Sequence, residues 1–555
     1  MTSSQTQLPY LTADEKDTII HVDDITKDDL DAKVNVQELA ADGTHHVSSA
    51  DGPQSAFGDL TTKATVFKFK RLFSMGLLVG LAAIYMGFTL GIASNIVANR
   101  AFIKQFGTVI DDHGELALDA THVSVWGGTN FAAQLVFQAA SPLTADRWGV
   151  RINLYIMTLA MLVAIVIEIV STNWIHYLIA KLFSGMACAY LGPGIINYLT
   201  EISMPKMRGA MLSSFAFFFS LGGLCASIAL KLIADLTPAK FRSAFYSQFA
   251  IFGIWVCVLL YLPESPAFLC KKGKHDQAKQ SLRRLIGSVE GYDFDHEYSV
   301  LQFHVEDSVA MNKKLSESSW AAIFKGSNLR RTVISCLPFT LQAFSGTALI
   351  FGYSTFFFSL SGLGDAFLGS LILNLILLFG ITISIFSVDY LGRRTLVLIG
   401  CAGCALCDIA FGGIGQMPIG PTAGNAVLAV ASVWVFFYAG SLATVGWGYL
   451  GEVSSLSLRS KTIALATVQQ SLISLIFQYT VPEMLSPQKA NWGVRIGYLF
   501  GGLTFLGMIV VYFFMPETKG RSAQEMDELY ARGIPARKFH LTETDYQNAQ
   551  RMASA

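Results

Sequence analysis

Charged residues are scarce in this chain: Lys, Arg, Asp and Glu make up only 14% of its 555 residues. A soluble globular protein carries roughly 25% of these residues, so the composition excludes an ordinary soluble enzyme. The 40 basic residues balance the 40 acidic ones, whereas a nucleic-acid-binding protein usually shows a basic patch or excess. We therefore expect no nucleic-acid partner.

Cysteine pairs on external loops are also lacking, because the eight cysteines lie in or beside apolar stretches. The sequence therefore predicts no disulfide scaffold. Cys401, Cys404 and Cys407 are spaced three residues apart without a neighbouring histidine, which is more typical of helix packing than of a metal site. Without a phosphate-binding loop, a zinc-protease motif or a nucleophile elbow, we expect no cofactor, no metal and no catalytic residues.

Twelve apolar blocks are present, each long enough to cross a hydrocarbon core of roughly 30 Å. They predict an all-α membrane protein with twelve transmembrane helices in two six-helix halves, embedded in a lipid bilayer. The blocks lie at 73–97, 123–143, 152–171, 175–199, 210–233, 244–262, 333–359, 366–388, 395–416, 426–450, 462–483 and 494–515.

Polar segments divide the chain into five parts. A polar, acidic-leaning N-tail at 1–68 is predicted to be disordered, and a basic linker at 263–331 is predicted to carry amphipathic helices. The two halves then cover 69–262 and 332–515, and a C-tail follows at 516–555. We expect a monomer whose tails are available to cytoplasmic regulators.

Lys and Arg occur mainly in alternate loops. Four short loops on one side carry eight of them, whereas the loops at 172–174, 360–365 and 417–425 carry none. Because cytoplasmic loops are enriched in Lys and Arg, this bias predicts that both termini are cytoplasmic.

Three short motifs occur twice, in the same order. Asp146-Arg-Trp-Gly-Val-Arg151 recurs as Asp389-Tyr-Leu-Gly-Arg-Arg394, Glu201-x6-Arg208 as Glu452-x6-Arg459, and Pro263-Glu264 as Pro516-Glu517. Each copy falls at the same predicted end of a helix. Parallel repeats with a site between them are typical of transporters that alternate access between the two sides.

The repeated charges have two interpretations. They could carry protons or do chemistry, but carboxylates and guanidinium groups at helix ends more often pair with each other. We expect a network that bridges the halves and sets the balance between outward- and inward-facing states. The candidate gating residues are Asp146, Arg147, Arg151, Glu201, Arg208, Asp389, Arg393, Arg394, Glu452 and Arg459.

Three charged residues fall inside predicted helices: Glu168, Lys181 and Asp408. An ionisable residue within a membrane is by default a functional hypothesis. Polar packing is the alternative for Glu168 and Asp408, and snorkelling towards the helix end is the alternative for Lys181.

Amides, hydroxyls and aromatics inside the helices are candidates for ligand binding, although such residues also join helices to each other. The candidate substrate-binding residues are Gln342, Tyr353, Asn374, Trp447, Gln470, Asn130 and Gln134.

Taken together, the motifs resemble the sugar porter family of the major facilitator transporters over residues 70–540. The matching segments are the repeats above, Pro263-Glu-Ser-Pro266, Gln342-Ala-Phe-Ser-Gly346 and Pro516-Glu-Thr-Lys-Gly520. Gly352-Tyr-Ser-Thr, Leu458-Arg-Ser-Lys-Thr-Ile463 and Gly533-Ile-Pro-Ala-Arg-Lys-Phe539 look more narrowly like the fungal α-glucoside (maltose permease-like) branch. That branch implies a plasma-membrane carrier for disaccharides or related oligosaccharides.

The resemblance also implies roles for single residues. Gln342 matches an amide of the sugar-binding motif, Trp447 matches an aromatic that stacks on the sugar, and Gln470 falls at a polar position of the eleventh helix. Ala216 stands where monosaccharide carriers have a glutamine, which favours a larger ligand.

The residues that the family uses for proton coupling are neutral here. Thr89, Gln134 and Thr467 stand where coupled members carry charged residues, so we expect weak or absent proton dependence. Two other functions stay open beside the carrier: a sugar sensor that signals through its tails, and export of a glycosylated small metabolite.

Overall fold

A computed structural model describes residues 57, 62–110, 114, 116–316, 320–418, 420–454, 458–521 and 523–544. Most of the predicted N-tail lies outside these residues. Thr62–Lys68 nevertheless forms a helix, α1, so the prediction of a disordered tail up to residue 68 fails for that stretch. Phe57 and Phe69 pack edge to face with ring centroids 5.3 Å apart, and this apolar contact helps to hold the segment in place.

The N-terminal half contains six long helices and one short one. They are α2 (Lys70–Asn95), α3 (Arg100–Phe106), α4 (Ala120–Trp148), α5 (Val150–Val170), α6 (Trp174–Ile202), α7 (Pro205–Leu236) and α8 (Arg242–Tyr261). A two-residue hairpin, β1 (Val109–Ile110) with β2 (Leu116–Ala117), pairs antiparallel in the loop before α4.

Three helices occupy the predicted linker: α9 (Pro266–Lys271), α10 (His275–Ile286) and α11 (Phe294–Ser316). In α10, Ala278, Leu285 and Ile286 are buried, whereas Arg283 and Arg284 are exposed. This helix is therefore amphipathic, with its apolar side against the protein.

The C-terminal half repeats the arrangement with two broken helices. Its helices are α12 (Gly326–Phe344), α13 (Ser354–Ser361), α14 (Ala366–Leu391), α15 (Arg393–Ile414), α16 (Pro421–Gly440), α17 (Leu442–Val453), α18 (Arg459–Leu485) and α19 (Gly497–Phe514), followed by α20 (Ala523–Ala531).

The sequence did not predict the two breaks, because apolar length carries no information about backbone direction. Between α12 and α13 the chain passes through Gly346, at a φ of +87°, and a π-helical turn at Ala348–Gly352. Between α16 and α17 it breaks at Ser441, whose φ is −136° and ψ −80°. Breaks of this kind often occur at functional sites.

Each of the twelve predicted blocks coincides with one straight or broken helix. Within the described residues, nine helices are both long and apolar enough to span a membrane by themselves. The other three blocks are α4, α18 and the broken pair α12–α13. These carry more polar residues, several of which line a central cavity.

The apolar core shows where the halves meet. One cluster joins Phe88, Trp126 and Tyr177 of the N-terminal half to Ile350 and Phe357 of the C-terminal half. A second large cluster, which includes Met75, Leu154 and Met211, contains only residues from the N-terminal half and the segments next to it. The halves therefore share one core near one end of the helices.

Candidate functional site

The helical body has two opposite faces. The motif face carries the turns at Asp146–Arg151 and Asp389–Arg394, and the opposite face carries the segment after α2 and the turn before α14. The repeated motifs form the same structure twice on the motif face.

In the first repeat, Gly149 links α4 to α5 at a φ of +109°, a conformation that favours glycine. Glu264 lies directly over this turn, where its Oε1 accepts a hydrogen bond from the backbone N–H of Arg151 at 3.2 Å. A Cβ atom on Gly149 would lie 2.8 Å from Glu264 Oε2. The glycine and the glutamate therefore depend on each other.

The second repeat reproduces these contacts. Gly392 has a φ of +87°, and Glu517 accepts hydrogen bonds from the backbone N–H groups of Arg393 at 2.8 Å and Arg394 at 3.1 Å. A Cβ atom on Gly392 would lie 2.6 Å from Glu517 Oε2. The Pro-Glu motif after each sixth helix thus caps the start of the third helix of the same half.

Two buried tyrosines extend the correspondence. Tyr198 donates to the carbonyl of Pro263 at 2.7 Å, and Tyr449 donates to the carbonyl of Pro516 at 3.3 Å. The internal repeat inferred from three short motifs is therefore also a repeat of contacts.

Two ion pairs that involve gating residues occur in the described part of the structure, and neither joins the two halves. Arg393 lies 3.0 Å from Glu452, which also accepts a hydrogen bond from Thr518 at 2.5 Å. Lys271 of α9, in the linker, lies 3.2 Å from Asp146. The expected network across both halves stays a prediction.

Other members of the set bind backbone or lie near rings. Arg151 donates to the carbonyl of Leu259 at 3.0 Å, and Arg394 donates to that of Tyr512 at 2.7 Å. The Arg147 guanidinium lies near the ring of Trp148. Glu201 lies at the end of α6. The side chains of Arg208, Asp389 and Arg459 lie outside the described part of the structure.

Burial shapes the electrostatics of the first repeat. It raises the pKa of Glu264, although the backbone N–H groups of Ser265 and Arg151 act in the other direction. The charge of the Arg151 guanidinium lowers the pKa as well. The turn is thus held by hydrogen bonds from backbone N–H groups to Glu264.

Inside the N-terminal half, Lys181 of α6 and Glu168 of α5 form a buried ion pair, with Nζ 3.2 Å from Oε1. Gln248 of α8 donates to the other carboxylate oxygen at 3.1 Å, and Lys181 Nζ lies 4.4 Å from the ring centroid of Tyr177. Each charge is therefore compensated. The sequence singled out both residues but did not predict that they pair.

Asp408 of α15 is buried at 1% exposure, close to Trp434 and Thr504. No ion pair involving it occurs among the described residues. It lies away from the central cavity, and its role stays a prediction.

A cavity of about 490 Å³ lies between the halves, within the size range of small-molecule sites. Four of the predicted substrate-binding residues line it: Asn130 and Gln134 from α4, Tyr353 at the break before α13, and Asn374 from α14. Ala216 also lies in the wall. Lys181 is the one charged residue among the described lining residues.

Two other predicted ligand residues contact each other outside that lining. Gln470 donates to Gln342 Oε1 at 3.3 Å, and Gln342 Nε2 donates to the carbonyl of Leu442 at 2.7 Å, beside the break between α16 and α17. The side chain of Trp447 is outside the described part of the structure. A ligand role for these three residues remains a prediction.

Hydrogen bonds across the halves close the cavity at the opposite face. Asn95 at the end of α2 accepts from Ser354 at 2.8 Å and from Ser370 at 3.2 Å. Lys231 of α7 pairs with Asp365, the N-cap of α14, at 2.5 Å. Together with the shared core, these contacts indicate a conformation that is closed on this face.

Sequence analysis missed these closing residues. Asn95 and Ser354 are 259 residues apart, and single polar residues near helix ends give no signal of their partners. Gly127 of α4 is one position where the sequence does indicate a close contact between the halves. A Cβ atom at this glycine would lie 2.3 Å from the Tyr353 hydroxyl. A glycine inside an apolar helix can mark such a close approach.

Comparison with known proteins decides the family. A family model described as "Sugar (and other) transporter" matches residues 75–530. The chain belongs to this family. The resemblance inferred from the motifs is thereby confirmed, and the transporter is a multi-pass membrane protein that acts on a sugar or a related solute.

Curated relatives include carriers of different sugars. The transporter is 25% identical to a low-affinity glucose transporter of Saccharomyces cerevisiae, over 82% of each chain. It is 28% identical to the general alpha-glucoside permease of the same yeast, over 88% of this chain and 79% of the permease. It is also 28% identical to the MFS transporter fmqE of Aspergillus fumigatus, over 80% and 83%.

Solved structures establish the fold. The inward-open xylose transporter XylE from E. coli superimposes with a TM-score of 0.67 at 20% identity, over 82% of this chain and 99% of that chain. The same protein bound to 6-bromo-6-deoxy-D-glucose gives a TM-score of 0.65. The predicted fold class, twelve transmembrane helices in the major facilitator arrangement, is confirmed.

Proposed function

We propose that the transporter moves a disaccharide or oligosaccharide, α-glucoside-like or cellobiose- and lactose-like, across the plasma membrane by alternating access. The observation that carries the proposal is the cavity between the two repeats, lined by amides of both halves, Gln134 and Asn374. A site at the interface of two repeats can be exposed to one side at a time when the halves rock against each other.

Two observations support a ligand larger than a monosaccharide. Ala216 lines the cavity at a position where, by the family resemblance, monosaccharide carriers have a glutamine. The smaller side chain leaves room in a cavity of about 490 Å³. The likeness to an alpha-glucoside permease agrees with this choice but does not by itself identify the sugar.

Transport is proposed to need no proton gradient. Thr89 lies where coupled members carry an acid, and its hydroxyl donates to the carbonyl of Tyr85 at 3.0 Å. Glu168 is held by Lys181 and Gln248. A coupling group must change its protonation as access alternates, and neither arrangement favours such a change.

We place the motif face in the cytoplasm, following the distribution of Lys and Arg in the loops. The conformation in this structure is then closed to the outside by Asn95–Ser354 and Lys231–Asp365. In this state the two described motif-face ion pairs, Arg393–Glu452 and Lys271–Asp146, do not join the halves, and we propose that pairing across the halves belongs to the outward-facing state.

Uptake of radiolabelled disaccharides by a host without its own sugar transporters tests the function. We expect saturable uptake that changes little when a protonophore is added. Accumulation that collapses with the protonophore would contradict the uncoupled mechanism. Binding without flux would favour the sensor instead.

A further inference from the structure

We propose that the preferred ligand is a glycoside in which one sugar ring is joined to an apolar, aromatic group, instead of to a second sugar. This inference rests on the proposed transport of a glycoside by alternating access, and it replaces the second sugar of the proposed disaccharide with an aromatic group. It comes from the division of the cavity wall between polar groups and aromatic rings.

Much of the polar wall is already bonded to protein. Asn95 Oδ1 accepts hydrogen bonds from two serines, among them Ser354 at 2.8 Å. Asn130 Oδ1 accepts from Gln134 at 2.8 Å, and its Nδ2 donates to the carbonyl of Lys181 at 3.3 Å. These amides hold the helices together, so they offer few groups to a ligand.

The Tyr353 hydroxyl is engaged as well, because it donates to the carbonyl of Gln478 at 2.9 Å. At least six side chains of the wall keep hydrogen-bonding capacity in the described part of the structure: Gln134 through Oε1, Asn374 through Oδ1, and Ser220, Tyr438, Ser474 and Gln478. A set of this size can orient one sugar ring.

Aromatic rings from both halves face the same cavity. The N-terminal half contributes Phe131, Phe215 and Phe219, and the C-terminal half contributes Phe351, Phe477 and Tyr438. Phe215 and Phe219 lie with ring centroids 6.4 Å apart, and Phe351 and Tyr438 lie 5.4 Å apart. Four of the six rings therefore form two pairs, one from each half.

A second sugar ring suits such a site poorly. A sugar can stack its apolar face on one aromatic ring, but its hydroxyls point outward from the rim and need partners. Hydroxyls that are buried without partners lose affinity. A phenyl group has no such requirement, buries its whole surface and can pack edge to face or offset against the pairs.

Binding to the full-length protein, purified in lipid nanodiscs, tests this preference. Calorimetry would compare two matched pairs: maltose with phenyl α-D-glucopyranoside, and cellobiose with phenyl β-D-glucopyranoside. One anomeric configuration, α or β, should bind more tightly than the other. For that configuration, we expect the phenyl glucoside to bind at least about tenfold more tightly than the disaccharide. Equal or tighter binding of the disaccharide overturns the inference and leaves the transport function intact.

Failure of the proposed function would look different, because then neither pair of ligands would be transported. Phe351→Asn should weaken binding of the phenyl glucoside more than that of the disaccharide, and Phe351→Leu, the matched control, should retain most of the preference. Phe219→Asn repeats the comparison from the other half if Phe351→Asn does not fold. Equal losses for both ligands in a folded variant would count against an aromatic subsite.

Discussion

Lys181 and Glu168 form an ion pair inside the membrane, with Nζ 3.2 Å from Oε1 and both side chains buried. The lysine borders the central cavity, whereas the glutamate lies behind it against Gln248 of α8. Each charge makes the other tolerable at a buried position. The pair therefore fixes α5 against α6 at the wall of the site.

Removal of one member of this ion pair should lower the folding stability. Glu168→Gln leaves a buried ammonium without its partner, and we expect a loss of about 3–5 kcal/mol in folding stability. The double variant Glu168→Gln, Lys181→Met removes both charges and should recover most of that loss. Thermal unfolding of the purified protein measures both. A double variant no more stable than Glu168→Gln would show that the pair is not the cause.

The turns of the motif face give a second prediction. Gly149→Ala places a Cβ atom 2.8 Å from Glu264 Oε2 in a backbone with a φ of +109°, and we expect a loss of about 1–3 kcal/mol. Gly413→Ala in α15 is the matched control, because no atom lies within 4 Å of its Cβ position. Equal melting temperatures for the two variants would contradict the structural role of Gly149.

The closed opposite face predicts a shift in conformation. Asp365→Asn removes the pair with Lys231 and should favour opening of this face. Because both side chains are partly exposed, the pair contributes about 1 kcal/mol or less, which limits the shift to roughly fivefold. In a background without native cysteines, Ser474→Cys in the cavity wall would report access to an impermeant thiol reagent.

Glu452→Gln should act in the opposite direction in the same assay. We propose that Glu452 pairs across the halves in the outward-facing state, whereas here it contacts Arg393 of its own half. If the pairing across the halves is the stronger one, its loss should shift the resting state away from the outward-facing form. If Asp365→Asn and Glu452→Gln both leave the labelling rate unchanged, the proposed gates are wrong.

The Lys231–Asp365 pair should also be insensitive to pH near neutrality. Burial would raise the pKa of Asp365, but hydrogen bonds from Lys231 and from backbone amides outweigh it and lower the pKa below its usual range. The stabilisation is therefore present above the usual aspartate pKa of about 3.9 and is lost only as pH falls through the lowered value. The thiolate fraction falls with pH, so labelling of Ser474→Cys is compared with that of a cysteine on an exposed loop. This ratio should be the same at pH 7 and pH 5, and a marked increase at pH 5 would count against the Lys231–Asp365 pair as the gate.

Ligand contacts can be separated from structural amides. Gln478→Ala removes a cavity amide whose side chain makes no hydrogen bond to protein among the described residues, and it should weaken glycoside binding by about 1–2 kcal/mol with little change in melting temperature. Gln342→Ala leaves the carbonyl of Leu442 without its donor and should lower stability as well as affinity. Trp447→Ala should reduce binding more than surface expression. Unchanged affinity in a folded Trp447→Ala, Gln342→Ala variant would remove both from the site.

Much of the fold could be predicted from the sequence, because the signals are local. Apolar length predicts the helices, and the turns at Gly149 and Gly392 predict where the third helix of each half begins. The recurrence of Pro263-Glu264 as Pro516-Glu517 predicted equivalent positions, and the structure adds the reason: each glutamate caps the turn of its own half.

Long-range partners could not be predicted in the same way. The sequence predicts Glu168 and Lys181 as two separate charges within helices, because a charged residue does not specify which neighbouring helix faces it. The contact of Asn95 with Ser354 depends on how the two halves meet. The break at Ser441 follows an uninterrupted apolar run, so hydropathy gave no indication of it.

Counterflow in proteoliposomes tests the central claim most directly. Vesicles that contain the purified transporter and unlabelled glycoside, with no ion gradient, would be diluted into a trace of the same glycoside carrying a radiolabel. The account predicts transient entry of label that a protonophore leaves unchanged, because the cavity alternates between the faces without a coupled proton. Absence of label entry, or entry only when a proton gradient is imposed, would contradict it.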